Sequence, residues 1–62
     1  MCNERKVYEQ LAAIRGIAPD WGRLPTAAKD RWRAWCVWYD VGVIAKHPPL
    51  ACRWFDINCQ GA

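Results

Sequence analysis

This sequence lacks the long apolar segment that a membrane-spanning protein requires. No apolar run approaches the roughly 18 to 20 residues that are needed to cross a bilayer. The first residues, Met1 to Lys6, are polar and of mixed charge, and no apolar stretch resembling a secretory signal follows them. We therefore expect a soluble protein of the cytoplasm.

The sequence also has few groups that are suited to catalysis. It contains a single histidine, His47, directly before two prolines, and its six acidic residues are scattered singly. It has no glycine-rich phosphate loop, no G-x-S-x-G motif and no pair of carboxylates. On this basis we expect a protein that is not an enzyme and that carries no cofactor.

What the sequence does contain is a short, apolar and mildly basic chain. Its 62 residues allow one small domain, which we expect to span residues 1–62. The apolar share of 53% is too high for disorder that arises from low hydrophobicity, and the formal charge is +3. Five tryptophans are unusual in a chain of this size. Because domains of about 60 residues are marginally stable, these large side chains are first expected to add stability.

A first helix is predicted over residues 3–15. Asn3 is suited to the N-cap position, Glu4 would lie in the first turn, and Gly16 would end the helix. The apolar stripe of this helix is formed by Val7, Leu11 and Ile14.

The segment after this helix is predicted to be an ordered connector. Pro19 and Pro25 interrupt the backbone donors, and Asp20 is placed to cap one short turn that holds Trp21 and Leu24. Because these two apolar residues are three positions apart, we expect them to cover one end of the core together.

A second helix is predicted to begin near Pro25 or Thr26. Gly42 either ends this helix near Val41 or is tolerated within it at a cost of about 1 kcal/mol. At 100° per residue, its core face comprises Ala28, Trp32, Trp35, Cys36, Tyr39 and Val43. A separate strip lies well away from that face and comprises Ala27, Arg31, Ala34, Trp38 and Ala45.

The tail is predicted to form a short third helix from Pro49, with Leu50, Trp54 and Ile57 on its apolar stripe. The alternative is a loop closed by a disulfide between Cys52 and Cys59. On a helix, the α-carbons of that pair would be about 10.5 Å apart, which is beyond bonding distance. The fold class predicted is all-α, a two- to three-helix domain with an ordered connector that contains Trp and Pro.

The four cysteines are expected to be reduced thiols, as is usual in the cytoplasm. A zinc site is an alternative, with Cys36, His47, Cys52 and Cys59 as its ligands. These residues are separated by ten, four and six intervening positions, so no C-x2-C or H-x3-H pair forms half of a tetrahedral site. A zinc-stabilised adaptor is therefore the third of our hypotheses, and no metal ligand is assigned.

Stoichiometric binding to a larger protein is the function that the composition favours. Small domains rich in tryptophan and arginine resemble the centres of protein interfaces. The partner-binding residues that we predict are Arg31 and Trp38, with Arg23 and Arg33 at the rim. The second hypothesis is a small nucleic-acid-binding module, because basic residues alternate with Trp32, Trp35 and Trp38 in the same segment.

One stretch of the sequence resembles a known pattern. Residues 21–32 read W-x2-L-x4-K-x2-W, which is similar to short open reading frames of bacterial viruses and prophages. A related W-x2-L turn occurs in HMG boxes, which are longer and far more basic. The resemblance covers about a fifth of the chain and implies a phage-type protein that blocks host machinery, a class that includes anti-CRISPR proteins. It implies a host protein or ribonucleoprotein complex as the partner.

Overall fold

The chain folds into three α-helices around one core, as a computed structural model shows for residues 2–39, 44 and 46–59. Helix α1 spans Glu4–Arg15, α2 spans Thr26–Cys36 and α3 spans Pro48–Cys59, with a 3-10 turn at Trp21–Arg23. No strand occurs within those ranges. The all-α prediction is confirmed.

Helix α1 begins and ends where its capping residues predict. The side-chain oxygen of Asn3 accepts a hydrogen bond from the Lys6 backbone N–H at 3.2 Å. Gly16 adopts a left-handed conformation (φ 79°), and the N–H groups of Gly16 and Ile17 donate to Ala13 and Ala12. These two bonds form a Schellman motif, and glycine adopts the required positive φ without steric cost.

The connector is ordered, as predicted. Trp21 and Leu24 are half-buried and pack against the core. The side chain of Asp20 makes no capping bond and instead pairs with Arg23, with an Oδ2–Nε distance of 3.3 Å. The Asp20 backbone N–H donates to the Tyr8 hydroxyl at 2.8 Å, so a core side chain holds this turn in place.

Helix α2 lies antiparallel to α1, because its end is beside the start of α1. Cys36 is joined to Cys2, and Trp32 packs against Tyr8 with ring centroids 5.5 Å apart. The predicted core face is confirmed for Ala28, Trp32 and Cys36, whereas Trp35 and Tyr39 are half-buried. Val43 and Ala45 are outside the described residues.

The predicted length of α2 is wrong. The helix ends at Cys36, and Val37 and Trp38 form a turn in which the Trp38 and Tyr39 N–H groups bond to the carbonyls of Trp35 and Cys36. No glycine or proline stands at this end, so no local signal in the sequence marks it. The end of the helix has a direct consequence for the surface described below.

Helix α3 is confirmed, but its predicted register is wrong. Its buried residues are Ala51, Phe55 and Asn58, one position after the predicted stripe. Leu50 and Ile57 are exposed, and Trp54 is half-buried against Trp35 and Tyr39. The alternative loop closed by Cys52 and Cys59 does not form, since both residues lie on α3 as free thiols.

The centre of the core is a cluster of aromatic rings from all three helices. Tyr8 stacks on Phe55 at 5.7 Å, and both contact the fully buried Trp32. Helices α1 and α3 pack closely on each other through Leu11 and Ala12 of α1 and Ala51 of α3. Edge-to-face and stacked aromatic pairs add to the free energy gained by burying their apolar area.

The cysteines depart from the prediction of four reduced thiols. Cys2 and Cys36 form a disulfide whose α-carbons are 5.9 Å apart, within the ordinary range for such bridges. Cys52 and Cys59 are free, as predicted. The bridge joins Cys2, two residues before α1, to the last residue of α2.

Candidate interaction surface

The end of α2 carries the most exposed large apolar side chains of the described residues. Trp38 is 75% exposed and Val37 is 70% exposed, and Ala34 is exposed one turn earlier. We call Ala34, Val37 and Trp38 the Trp38 patch. Because the helix ends at Cys36, no later turn of α2 shields this patch.

Trp38 differs from its aromatic neighbours because no ring packs against it within the described part of the chain. Trp35 makes an edge-to-face contact with Trp54 at 4.9 Å, and Tyr39 contacts the same ring at 6.5 Å. Helix α3 therefore covers Trp35 and Tyr39 and leaves Trp38 in solvent. The sequence left open whether α3 would cover Trp38, and the structure shows that it does not.

The predicted arginines have different surroundings. Arg33 forms ion pairs with Glu4 of α1 and with Asp30, each with a nitrogen–oxygen distance of 3.5 Å. Its side chain is largely exposed, so these pairs add little stability and leave it accessible to a partner. Arg31 is half-buried and precedes Trp38 by seven positions, close to two helical turns. Arg33 therefore lies one turn before Val37, and Arg31 lies at the middle of α2.

Arg23 is not part of the same surface. It lies in the 3-10 turn before α2, where it pairs with Asp20. The full length of α2 separates it from Trp38, about 16 Å at 1.5 Å per residue. The structure therefore places Arg33 and Trp38 near the end of α2, Arg31 at its middle and Arg23 before its start.

A groove beside the Trp38 patch was not anticipated from the sequence. It has a volume of about 540 Å³ and runs between the N-terminal half of α1 and the end of α2. Val37 lines the groove and also belongs to the patch. The groove depends on the contact between α1 and the end of α2. No pattern within a single helix predicts such a tertiary contact.

The alternative zinc site lacks one of its proposed ligands. Cys36 is bound to Cys2 and so offers no thiolate, and the described residues contain no group of three or more His, Cys, Asp or Glu side chains placed to hold a metal ion. Burial raises the pKa of the Cys59 thiol, the Trp32 indole opposes this shift, and the Asp56 carboxylate adds to it. A thiol with a raised pKa is a poor metal ligand and a poor nucleophile near neutral pH.

Among the helices that the structure describes, none is long and apolar enough to span a membrane. Comparisons with protein families, with curated proteins and with solved structures find no match to this chain. The surface itself therefore carries the functional argument.

Proposed function

We propose that this protein is a small, non-enzymatic binding protein that docks the Trp38 patch on a larger protein. The single observation that carries this proposal is the exposure of Trp38 at the end of a helix whose neighbouring aromatic residues are covered. Tryptophan is the side chain most often found at the energetic centre of a protein interface.

The surroundings of Trp38 are those of a protein interface rather than those of a single apolar residue exposed by chance. Val37 and Ala34 continue the apolar surface around the ring, so a partner would remove a contiguous area from water. Arg31 and Arg33 precede that area on α2, and the largely exposed Arg33 can exchange its long ion pairs for carboxylates of the partner. An apolar anchor with a charged rim is the usual arrangement of a stable protein contact.

The resemblance to short phage and prophage proteins supports a host partner for this surface. We propose that the protein is a phage-type, anti-CRISPR-like inhibitor that binds and blocks a host protein or ribonucleoprotein complex. Such a target would lie in the host cytoplasm, where the Cys2–Cys36 bridge would exchange with cellular thiols.

Nucleic-acid binding is the alternative that the test must separate. The basic residues that suggested it are partly neutralised within the chain, since Arg33 pairs with Glu4 and Asp30, and Arg23 pairs with Asp20. Trp32, one of the tryptophans in the basic segment, is fully buried and presents no face for base stacking.

The test is affinity capture from a bacterial lysate with wild type, Trp38→Ala and Ile17→Ala, each with and without nuclease. Ile17 is a matched control because it is an exposed apolar residue outside the patch. We expect a protein that wild type and Ile17→Ala retain after nuclease treatment and that Trp38→Ala loses, a weakening of about 2 kcal/mol or more. Equal capture by Trp38→Ala would contradict the proposal, and loss of all capture with nuclease would favour the nucleic-acid alternative.

A further inference from the structure

The groove beside the Trp38 patch has one mainly polar wall and one mainly apolar wall. One wall is the face of α1 that presents Asn3, Lys6, Val7 and Gln10, which recur at helical spacing. The opposite wall is formed by Val37, Tyr39 and the Cys2–Cys36 bridge. A groove of about 540 Å³ is large enough for one or two side chains of a partner segment.

Among the described residues that line the groove, Lys6 is the one with a charged side chain. It is exposed and forms no ion pair with the described residues, whereas the two carboxylates of α1 have cationic partners. Glu4 pairs with Arg33, and Glu9 pairs with Arg5, each at 3.5 Å. Within the described part of the chain, the groove therefore presents a positive charge without an ion pair beside the apolar side chain of Val37.

We propose that this groove binds a segment of the partner protein in which an apolar side chain is accompanied by a carboxylate. The inference rests on the proposed function and assigns the chemistry of the partner to it. The apolar side chain packs against Val37 and the Cys2–Cys36 bridge, and the carboxylate accepts a charge-assisted hydrogen bond from the Lys6 ammonium. Because Val37 belongs to both surfaces, the groove and the Trp38 patch form one continuous docking site.

The charge pattern favours this occupant over two others. A nucleic acid presents a row of phosphates, and the single ammonium among the described lining residues matches only one of them. A second copy of this chain would bring together two molecules that each carry a formal charge of +3. An acidic and apolar segment satisfies both the charge and the walls.

The test uses the oxidised protein and two blocked hexapeptides, one alternating leucine with glutamate and one alternating leucine with lysine. Binding is followed by amide and methyl NMR shifts. We expect the glutamate peptide to shift the signals of Val7, Gln10 and Val37 at millimolar concentration, and the lysine peptide to shift them far less.

Two charge reversals assign the binding to the groove. Lys6→Glu is expected to weaken the affinity for the glutamate peptide by about tenfold or more, the usual effect of losing a hydrogen bond to a charged group. The matched control is Lys46→Glu, which reverses an exposed lysine that does not line the groove and should leave the affinity within about twofold. The overall fold of each variant is checked by its thermal midpoint.

The inference is overturned by equal shifts with both peptides, by shifts confined to other residues, by unchanged affinity in Lys6→Glu, or by no shift at millimolar concentration. Its failure is separable from that of the proposed function. If the peptide does not bind but Trp38→Ala still abolishes capture of the protein partner, the proposed function is supported and the groove proposal is wrong. If the peptide binds and capture ignores Trp38, the groove stands as a site of its own.

Discussion

The two tryptophans Trp32 and Trp38 stand six residues apart and have opposite environments. Trp32 is fully buried between Tyr8 and Phe55, so all three helices depend on it. Trp38 is 75% exposed and lies after the last residue of α2. The number of tryptophans therefore does not reveal their roles. The residue at which α2 ends determines which ring is part of the core and which is available to a partner.

The largest effect that tests this comparison is expected from Trp32→Ala. Removing a fully buried tryptophan costs about 3–5 kcal/mol, close to the whole stability of a small domain. We expect the variant to lose its cooperative thermal transition, as followed by circular dichroism.

Trp38→Ala is the matched control for this change. We expect its free energy of unfolding to lie within about 0.5 kcal/mol of wild type, the usual range for surface substitutions. Similar losses in the two variants would mean that the distinction between a structural and an exposed tryptophan is incorrect.

The second effect concerns the bridge that fixes the ends of α1 and α2. Closing a ring over a sequence separation of 34 residues stabilises a protein by about 3–4 kcal/mol, chiefly by restricting the unfolded chain. We expect a reducing agent, or Cys2→Ser, to lower the thermal midpoint sharply.

The control for the bridge is Cys52→Ser, which changes a free thiol. Its midpoint in the absence of reductant should stay near that of wild type. If reductant lowers the midpoint of Cys2→Ser as much as that of wild type, the bridge is not the source of the effect.

The third effect comes from a polar group in the core. Asn58 is fully buried, and neither its Nδ2 nor its Oδ1 atom has a hydrogen-bond partner among the described residues. Because an unsatisfied buried polar group costs about 1–3 kcal/mol, we expect Asn58→Leu, which has a similar shape, to raise the free energy of unfolding by that amount. Chemical denaturation measures the change, and Asn58→Ala, which leaves a cavity, should not show the gain. A less stable Asn58→Leu protein would mean that the carboxamide is satisfied after all.

The smallest effect is a pH dependence at Cys59. Burial raises the pKa of its thiol, so the folded protein holds the proton to higher pH than the unfolded chain does. The contribution of Cys59 to stability is therefore fully present below about pH 8.5, where an ordinary thiol ionises, and is lost as the pH rises further.

The pKa shift is measured as the pH dependence of alkylation by iodoacetamide in a Cys52→Ser background. We expect the rate of the folded protein to rise at higher pH than that of the same protein in denaturant. Coincident profiles would contradict the shift.

The part of this fold that the sequence predicts is the part with local signals. Asn3 and Gly16 set the bounds of α1 through hydrogen bonds to neighbouring residues, so its length follows from the chain itself. The ordered connector follows in the same way from its prolines and its short turn. These signals act within a few residues and need no tertiary contact.

The errors arise where tertiary contacts decide. Apolar residues continue at helical spacing beyond Cys36, so the sequence predicts a longer α2 than the structure has. In α3, two stripes of equal spacing lie one residue apart, and the stripe with larger apolar residues is the less buried one. Contacts of Phe55 with Tyr8 and Trp32 select the other stripe.

Only part of the candidate site could be predicted from the sequence, because the rest depends on tertiary contacts. Helical spacing placed Arg31, Ala34 and Trp38 together, away from the core face. The groove depends on where α1 meets the end of α2, and the exposure of Val37 depends on the helix ending early. Neither feature has a signal in the sequence of one element alone.

The Cys2–Cys36 bridge also determines how the molecule would respond to mechanical tension. The bridge makes a covalent ring of α1, the connector and α2, so a pull on the two chain ends passes through the sulfur atoms and bypasses the residues between them. In an optical-tweezers experiment, the oxidised protein would release only the chain after Cys36, about 90 Å of contour. Reduction would add about 120 Å from the 34 positions of the ring, so the extension of a single molecule would report its redox state.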